Sequence, residues 1–334
     1  MYTILLIKND GSKTYDITPI VTSISYESSM SMYCPCEINI NYHDMPRLMP
    51  KNPCDLGDVI LLTQDNVEVH RWILVNESQS GRDTIKYTCY DFAWYLGKST
   101  SVYQFNSISA SQAIEKVLTD FGMMIGHIPT MSTIIDDIYI KQSPAYIIDD
   151  IWKKHEQFSG KRYVIEMRKG KIYIEEQKDM LIKGSFKLAD NLQANDIMDF
   201  PINASRTRSI EEMRNRIKIL LESENDVYEV VALSENEELI SKYGLLEDTF
   251  TVDAEDIAKA REVAKILLQR LGKVHESNTI TLMGDPKFKG GYLVDITENI
   301  TGMNGRYVIK SAKHTISNQL HTMDIELVLP EEVK

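Results

Sequence analysis

Apolar and polar residues alternate along much of the chain, most clearly between Leu56 and Leu96. Leu56-Gly57-Asp58-Val59-Ile60-Leu61-Leu62-Thr63 gives way to a polar turn, to Arg71-Trp72-Ile73-Leu74-Val75, and to a turn containing Gly81-Arg82-Asp83. In the next run Ile85, Tyr87 and Cys89 alternate with Lys86, Thr88 and Tyr90, the period of two expected of a strand with one buried face. Three strands separated by turn residues predict an antiparallel meander. The plan recurs as Gly291-Tyr292-Leu293-Val294-Asp295-Ile296-Thr297, Arg306-Tyr307-Val308-Ile309-Lys310 and Thr322-Met323-Asp324-Ile325-Glu326-Leu327. Gly57 to Thr63 and Gly291 to Thr297 are both six positions, whereas Gly57 to Arg71 is 14 and Gly291 to Arg306 is 15. The chain therefore reads as carrying two copies of one small β module. Trp72 and Tyr307 fall at matching places in the copies, which argues for packing.

Further strands precede the first meander. Asp10-Gly11 between apolar runs predicts a hairpin, and Glu37-Ile38-Asn39-Ile40-Asn41-Tyr42 alternates cleanly. These strands can close the meander into a barrel, which removes exposed sheet edges. At Tyr90-Asp91 the alternation stops, and a short aromatic turn of helix ending at Gly97 follows, with Asp91 as its N-cap. Helical spacing then takes over in Ala113, Ile114, Val117, Leu118 and Phe121, and again after Ser143-Pro144 in Ile147, Ile148, Ile151 and Trp152. Tyr163 to Met167 and Ile172 to Glu175 flank a turn at Arg168-Lys169-Gly170-Lys171 and predict a hairpin. Asp253 opens the longest expected helix, with Ile257, Ala260, Val263, Ala264, Leu267, Leu268 and Leu271 in one stripe ended by Gly272. The expected class is α+β and multidomain: two related antiparallel β-barrel domains, an α+β insert and a long helix. Residues 1–105 with 183–208 form the first barrel, 106–182 the insert, and 209–334 the second barrel with a helical excursion at about 253–272.

The 334 residues suffice for two or three domains, and 43% hydrophobic with 26% charged residues is an ordinary globular balance. A formal charge of −12 disfavours phosphate-seeking surfaces, so no sequence-specific nucleic acid is expected as a partner. No stretch approaches the roughly 20 apolar residues of a membrane span, so the chain is expected to stay soluble in the cytosol, or to leave it by a route the chain does not encode, without membrane insertion. Cys34-Pro35-Cys36, His43 and Cys54 lack the spacing of a zinc site. The seven histidines are scattered, and neither a Walker loop, a dinucleotide fingerprint nor a nucleophile elbow occurs. His155-Glu156 lacks the second histidine of a zincin. Asp149-Asp150 and Glu175-Glu176 are adjacent carboxylates whose side chains diverge on helix or strand, so neither forms an acid/base dyad. The chain is expected to be no enzyme, with no catalytic, cofactor or metal residues. Arg206, Arg208, Arg214 and Arg216 lie among Glu211, Glu212, Ile210 and Met213, which favours an inter-subunit or inter-domain ion-pair segment over a nucleic-acid patch.

Several short motifs occur in an order that resembles one family. They are Tyr15-Asp16-Ile17-Thr18 with Ile24, Leu56-Gly57-Asp58, Tyr90-Asp91 with Tyr95-Leu96, Ala110-Ser111-Gln112-Ala113-Ile114 with Asp120-Phe121-Gly122, Gly160-Lys161-Arg162-Tyr163, and Arg208 through Arg216. Along nearly its whole length the chain is similar to the baseplate hub proteins of contractile phage tails, defective prophages and tail-like bacteriocins. The resemblance implies a non-enzymatic homotrimer with two tail-tube-like barrels per subunit. Its pseudo-sixfold ring would adapt a hexameric tail tube to a trimeric central spike, with wedge and tape-measure proteins as further partners. Such a chain would be made in the bacterial cytoplasm and assembled into the particle. The structural or interface candidates are Gly57, Asp58, Arg71, Trp72, Tyr90, Asp91, Arg208, Arg214, Arg216, Gly291, Arg306 and Tyr307. The alternative of another class is a prophage cell-wall hydrolase or peptidase, which requires an acidic or histidine cluster converging in a deep pocket. A carbohydrate-binding module would instead require a row of exposed aromatics on one β face.

Overall fold

The computed structural model describes residues 1–41, 51–80, 84–183, 185–186, 195–196, 202–223, 227–252, 260–298 and 301–330. The turn expected at Gly81-Arg82-Asp83 and the helix start expected at Asp253 lie outside the described residues. In chain order the main elements begin with β1 (Tyr2–Ile7), β2 (Val21–Ser29), β3 (Pro35–Asn41), β4 (Val59–Gln64), β5 (Val67–Gln79) and β6 (Thr84–Tyr90). The helices α1 (Ala110–Asp120) and α2 (Pro144–Ser159) and the hairpin β7 (Tyr163–Arg168) with β8 (Lys171–Glu176) follow. Then come β9 (Asn203–Ser209), β10 (Arg216–Ser223), β11 (Val227–Glu235), β12 (Glu247–Val252), α3 (Ala260–Leu271), β13 (His275–Met283), β14 (Leu293–Glu298), β15 (Met303–Ser317) and β16 (Leu320–Val328).

Both meanders form as the alternation predicts. β4 pairs antiparallel with β5 and β5 with β6, while β14 pairs antiparallel with β15 and β15 with β16. The correspondence extends to single residues. Gly57 (φ +87°) and Gly291 (φ +84°) open the two copies in the same left-handed conformation, which a side chain disfavours. The Gly57 N–H donates to Leu74 O (2.8 Å) and Leu74 N–H to Asp58 O (2.9 Å); Gly291 N–H donates to Ile309 O (2.7 Å) and Ile309 N–H to Tyr292 O (2.8 Å). Trp72 sits opposite Ile60 and Tyr307 opposite Val294, both rings buried. The register of β5 on β6 shifts between Leu74 and Asn76, and that of β15 on β16 between Ile309 and Ser311, so a bulge bends each copy at the same point. Strand order also repeats, as β4-β5-β6-β3-β2 and β14-β15-β16-β13-β9.

The domain boundaries differ from those expected. A single 13-stranded sheet contains both copies, joined by an antiparallel ladder of β2 on β15 from Ser29↔Ser311 to Ser23↔Ser317. Contacts group Met1–Ser205 with Thr279–Lys334 as one unit and Arg206–Asn278 as another. In strand order the second module thus includes β9, which begins ahead of the expected boundary at residue 209, and residues 206–278 group by contacts as a unit of their own. Alternation alone does not distinguish a strand that ends one module from a strand that opens the next.

Each part has its own apolar cluster. Leu6, Ile24, Ile38, Ile60, Trp72 and Tyr87 centre the first module, and Leu282, Phe288, Ile296, Tyr307, Ile325 and Leu327 the second. In the insert, α1 and α2 bury Ile114, Leu118, Ile147 and Ile151 against Ile172 and Ile174 of the hairpin. Ser109 and Gln112 form a capping box on α1, and Ser143 caps α2 with Pro144 at its first position, as these residue types dictate. A five-residue helix, Trp94–Lys98, runs through Gly97 and ends at Ser99, so Gly97 is not its stop. In the second unit, α3 packs Ala260 and Ala264 on Ile217, Ile219 and Ala232 of a three-stranded sheet ordered β11-β10-β12. The described part of α3 has 12 residues and α2 has 16.

The matched corner glycines generate a paired prediction. Alanine at either position places a β-carbon at φ near +85°, costing about 1–2 kcal/mol. At Gly57 the new carbon meets only Asn9 Nδ2 at 3.3 Å, whereas at Gly291 it lies 2.9 Å from Val164 Cγ2. Urea denaturation should show both variants destabilised, with Gly291→Ala the more so.

Candidate functional site

The first unit brings both modules and the insert together at Gly290-Gly291. A β-carbon on Gly290 would lie 2.3 Å from the Ser29 backbone carbonyl carbon at the end of β2, so only glycine fits there. Its N–H donates to Ser28 Oγ at 3.1 Å. Gly291 O accepts from Gln177 Nε2 (2.8 Å), and Arg162 donates to the carbonyl of Pro330. Beside them Glu166 of β7 takes Lys289 (2.6 Å), the Tyr292 hydroxyl (2.7 Å) and Arg168. Burial opposes ionisation of Glu166, but Lys289, Tyr292 and Arg168 outweigh it and hold the carboxyl below its usual range. This cluster pins the inserted hairpin to the second module.

A second polar chain crosses the seam between the modules. Tyr2 Oη lies 2.6 Å from His321 Nδ1, His321 Nε2 lies 3.0 Å from His314 Nδ1, and His314 Nε2 lies 2.9 Å from Phe288 O. A carbonyl only accepts, so His314 carries its proton on Nε2, His321 donates through Nε2, and Tyr2 donates to His321. All members are satisfied with both rings neutral. Tyr26, opposite His314 in the ladder, stacks on it at 4.6 Å, and on its other side lie His70 (6.4 Å) and Trp72 (5.3 Å). Burial, with His321 beside it, pushes His314 down to about 3, and burial takes His321 down to about 4.

The sequence candidates divide between these junctions and local staples. Asp58 is buried and accepts from Lys8, Asn9 N (3.0 Å) and Asp55 N (2.9 Å), closing the first corner onto its own hairpin. Arg71 holds Glu68 through two hydrogen bonds (2.8 and 2.5 Å), and Arg306 holds Asp295 likewise (2.8 and 3.0 Å). Tyr90 packs between Tyr33 and Trp94. Asp91 accepts from Cys34 N (2.9 Å) and Ala93 N (3.1 Å), so it ties β6 to the segment before β3 and is not the N-cap, a place taken by Ala93. The arginine run corrects an expectation: Arg206 pairs with Glu276 (2.7 Å), Arg214 with Asp248 (3.5 Å) and Arg216 with Glu235 (2.7 Å), all inside the second unit. Arg208 is exposed. The seam histidines escaped the sequence reading because sheet pairing alone brings Tyr2, Tyr26 and His70 to His314 and His321.

A cavity of about 330 Å³ between α2 and β7 is lined by Met30, Met32, Tyr146, Trp152, Glu156 and Val164. Glu156 accepts there from Trp152 Nε1 (2.5 Å) and Tyr163 N (3.2 Å). The adjacent carboxylates are ion-paired: Asp149 with Lys153, Asp150 with Lys154, Glu175 with Arg168 and Glu176 with Lys161 and Lys178. His155 lies between Thr133 Oγ1 (2.8 Å) and Tyr163 Oη (3.1 Å). The buried cysteines Cys36 and Cys89 face each other across β3 and β6 as free thiols.

Two predictions follow from the junctions. Both seam histidines have folded values below the ordinary 6.5, so the unfolded chain binds more protons and their contribution is full above pH 6.5 and lost as pH falls toward 4 and then 3. Thermal or urea unfolding should show a loss of about 2 kcal/mol per histidine between pH 6.5 and 5, removed when both are replaced by glutamine. Glu166→Gln leaves Lys289 beside a neutral amide and should cost about 3 kcal/mol, with faster hydrogen exchange in residues 163–176.

Comparison with known proteins agrees with this architecture. The sequence model of the YQBQ-like family matches residues 24–328. The chain is 25% identical over 277 residues to YqbQ of Bacillus subtilis (strain 168), covering 81% of each. It is 24% identical over 286 residues to the phage-like element PBSX protein XkdQ of the same organism, covering 83% of this chain and 84% of the relative. Among solved structures, the prophage MuSo2 43 kDa tail protein from Shewanella oneidensis superposes with a TM-score of 0.67 at 16% identity, over 99% of this chain and all of the other. The match of the family model across nearly the whole sequence places the chain in the YQBQ-like family.

Proposed function

We propose that this chain is a structural hub of a phage tail or tail-like particle, three copies of which form a ring between a hexameric tail tube and a trimeric central spike. The observation that carries the reading is the duplicated module, with the same strand order, corner glycine, register and bulge in both copies. With each module curled into a small barrel, three chains present six near-equivalent surfaces about one axis. A threefold body thereby meets a sixfold neighbour on one side and a threefold neighbour on the other. Similarity to a protein of a phage-like element over 83% of this chain supports the setting. The role is mechanical and needs no cofactor. The insert, with α1 and α2, is the part suited to wedge partners outside the ring, and the acidic balance suits a lumen that must release a tape-measure protein.

The reading is tested by co-expressing the chain with the tube and spike proteins of its own prophage. Light scattering on the purified complex should give three copies of the chain, and electron microscopy should show pseudo-sixfold density at the tube face. A stable complex with two or six copies would overturn it. Clearing of cell-wall material by the purified chain in a zymogram would move the assignment to a hydrolase.

A further inference from the structure

The second unit treats the two edges of its sheet differently. On β12, Glu247 pairs with Arg216 and Lys218, and Asp248 with Arg214, so charges guard the first two residues of that edge. On β11, residues Val230 to Ser234 carry neither charge nor proline, β11 ends the strand order, and its pairing with β10 shifts register at Val231, between Val230 and Ala232. A groove of about 460 Å³ runs along this edge, lined by Val230, Val231, Ala232, Leu233, Ser234 and, on α3, Arg261 and Lys265. Val230 and Leu233 are half exposed. They lie opposite Leu220 and Lys218, whereas Ala232 lies opposite Ile219 on the face that α3 covers.

Arg261 and Lys265 lie one turn apart on α3 and make no ion pair among the described residues, unlike Arg206, Arg214, Arg216 and Lys218 of the same unit. Two like charges at this spacing repel each other, and an anionic partner relieves the repulsion. The spacing specifies that partner. Four helical residues rise about 6 Å, and side chains two apart on a strand repeat at about 7 Å. A strand added to β11 with carboxylates at alternate positions thus sets one beside each cation, while the intervening residues lie on the other face, next to Val230 and Leu233. The five lining residues of β11 accept about 17 Å of extended chain. Glu229, exposed at one end, and Glu235, held by Arg216, leave the middle of the edge free of competing charge. A second copy of the chain fits poorly, because antiparallel pairing of two β11 edges brings both copies' Arg261 and Lys265 onto one face.

We propose that the edge of β11, unpaired among the described residues and flanked by Arg261 and Lys265 of α3, docks an extended segment of a partner protein with acidic residues at alternate positions and apolar residues between them. The probe is a blocked nine-residue peptide alternating valine and glutamate, added to the full-length protein. Hydrogen exchange across residues 229–235 should slow, and fluorescence anisotropy should show saturable binding. The Arg261→Glu/Lys265→Glu variant, whose changes lie on exposed helix positions and whose fold is checked by circular dichroism, should bind at least tenfold more weakly. A peptide alternating valine and lysine should not bind, and N-methylation of alternate amides on the edge-facing side should abolish binding of the acidic one. Absence of protection at millimolar peptide, equal binding of the lysine peptide, or indifference to charge reversal would overturn the proposal. Protection that grows with protein concentration without peptide would overturn it in favour of self-association.

Discussion

The ladder of β2 on β15 is the constraint on which the rest of the first unit depends. It joins two modules with largely separate apolar cores through backbone hydrogen bonds. Two strands from different modules pair over this length only where their backbones approach without obstruction. At the Ser29 end that approach needs Gly290, whose hydrogen occupies the space a β-carbon would contest with the Ser29 backbone. Along the ladder Tyr26 faces His314, and the chain from Tyr2 through both histidines to Phe288 O fills the interior with polar groups that satisfy one another. A buried network of this kind tolerates one arrangement of partners and so specifies how the modules meet. Apolar contact alone is less selective.

The duplicated corners show how one local fold serves two purposes. Gly57 and Gly291 share a conformation and a hydrogen-bond pattern, but the next residue differs. Asp58 turns back to Lys8 and Asn9 of its own module, whereas Tyr292 reaches Glu166 of the insert. The backbone requirement is common to both, and the side chain beside it decides what is attached. Matching bulges preserve the strand bend in each copy, so modules with few identical residues keep one shape.

Charge is distributed by neighbourhood. The chain is strongly acidic overall, yet its arginines act as local staples: Arg71 to Glu68, Arg306 to Asp295, and Arg216 to Glu235 and Glu247. Surface pairs of this kind add little stability individually. Their clearer effect is on edges, since at Glu247 and Asp248 of β12 and at Glu235 of β11 they present charge where another strand would otherwise pair, and Val230 to Ser234 of β11 lack that protection.

The sequence alone determined much of the local structure. Strand alternation located both meanders, the spacing from Ala113 to Phe121 located the first helix and Ser143-Pro144 the start of the second, Lys169-Gly170 located the hairpin turn, and the repeat spacing matched Trp72 with Tyr307. Each of these depends on residues near one another in the chain, where periodicity and backbone preference act directly. Only the tertiary structure decided that the two copies share a sheet, that residues 206–278 group as a unit of their own, and that the arginine run pairs within that unit. It alone assembled His70, His314, His321, Tyr2 and Tyr26, because their proximity comes from the register between distant strands, and no spacing along the chain encodes a neighbour some 300 residues away.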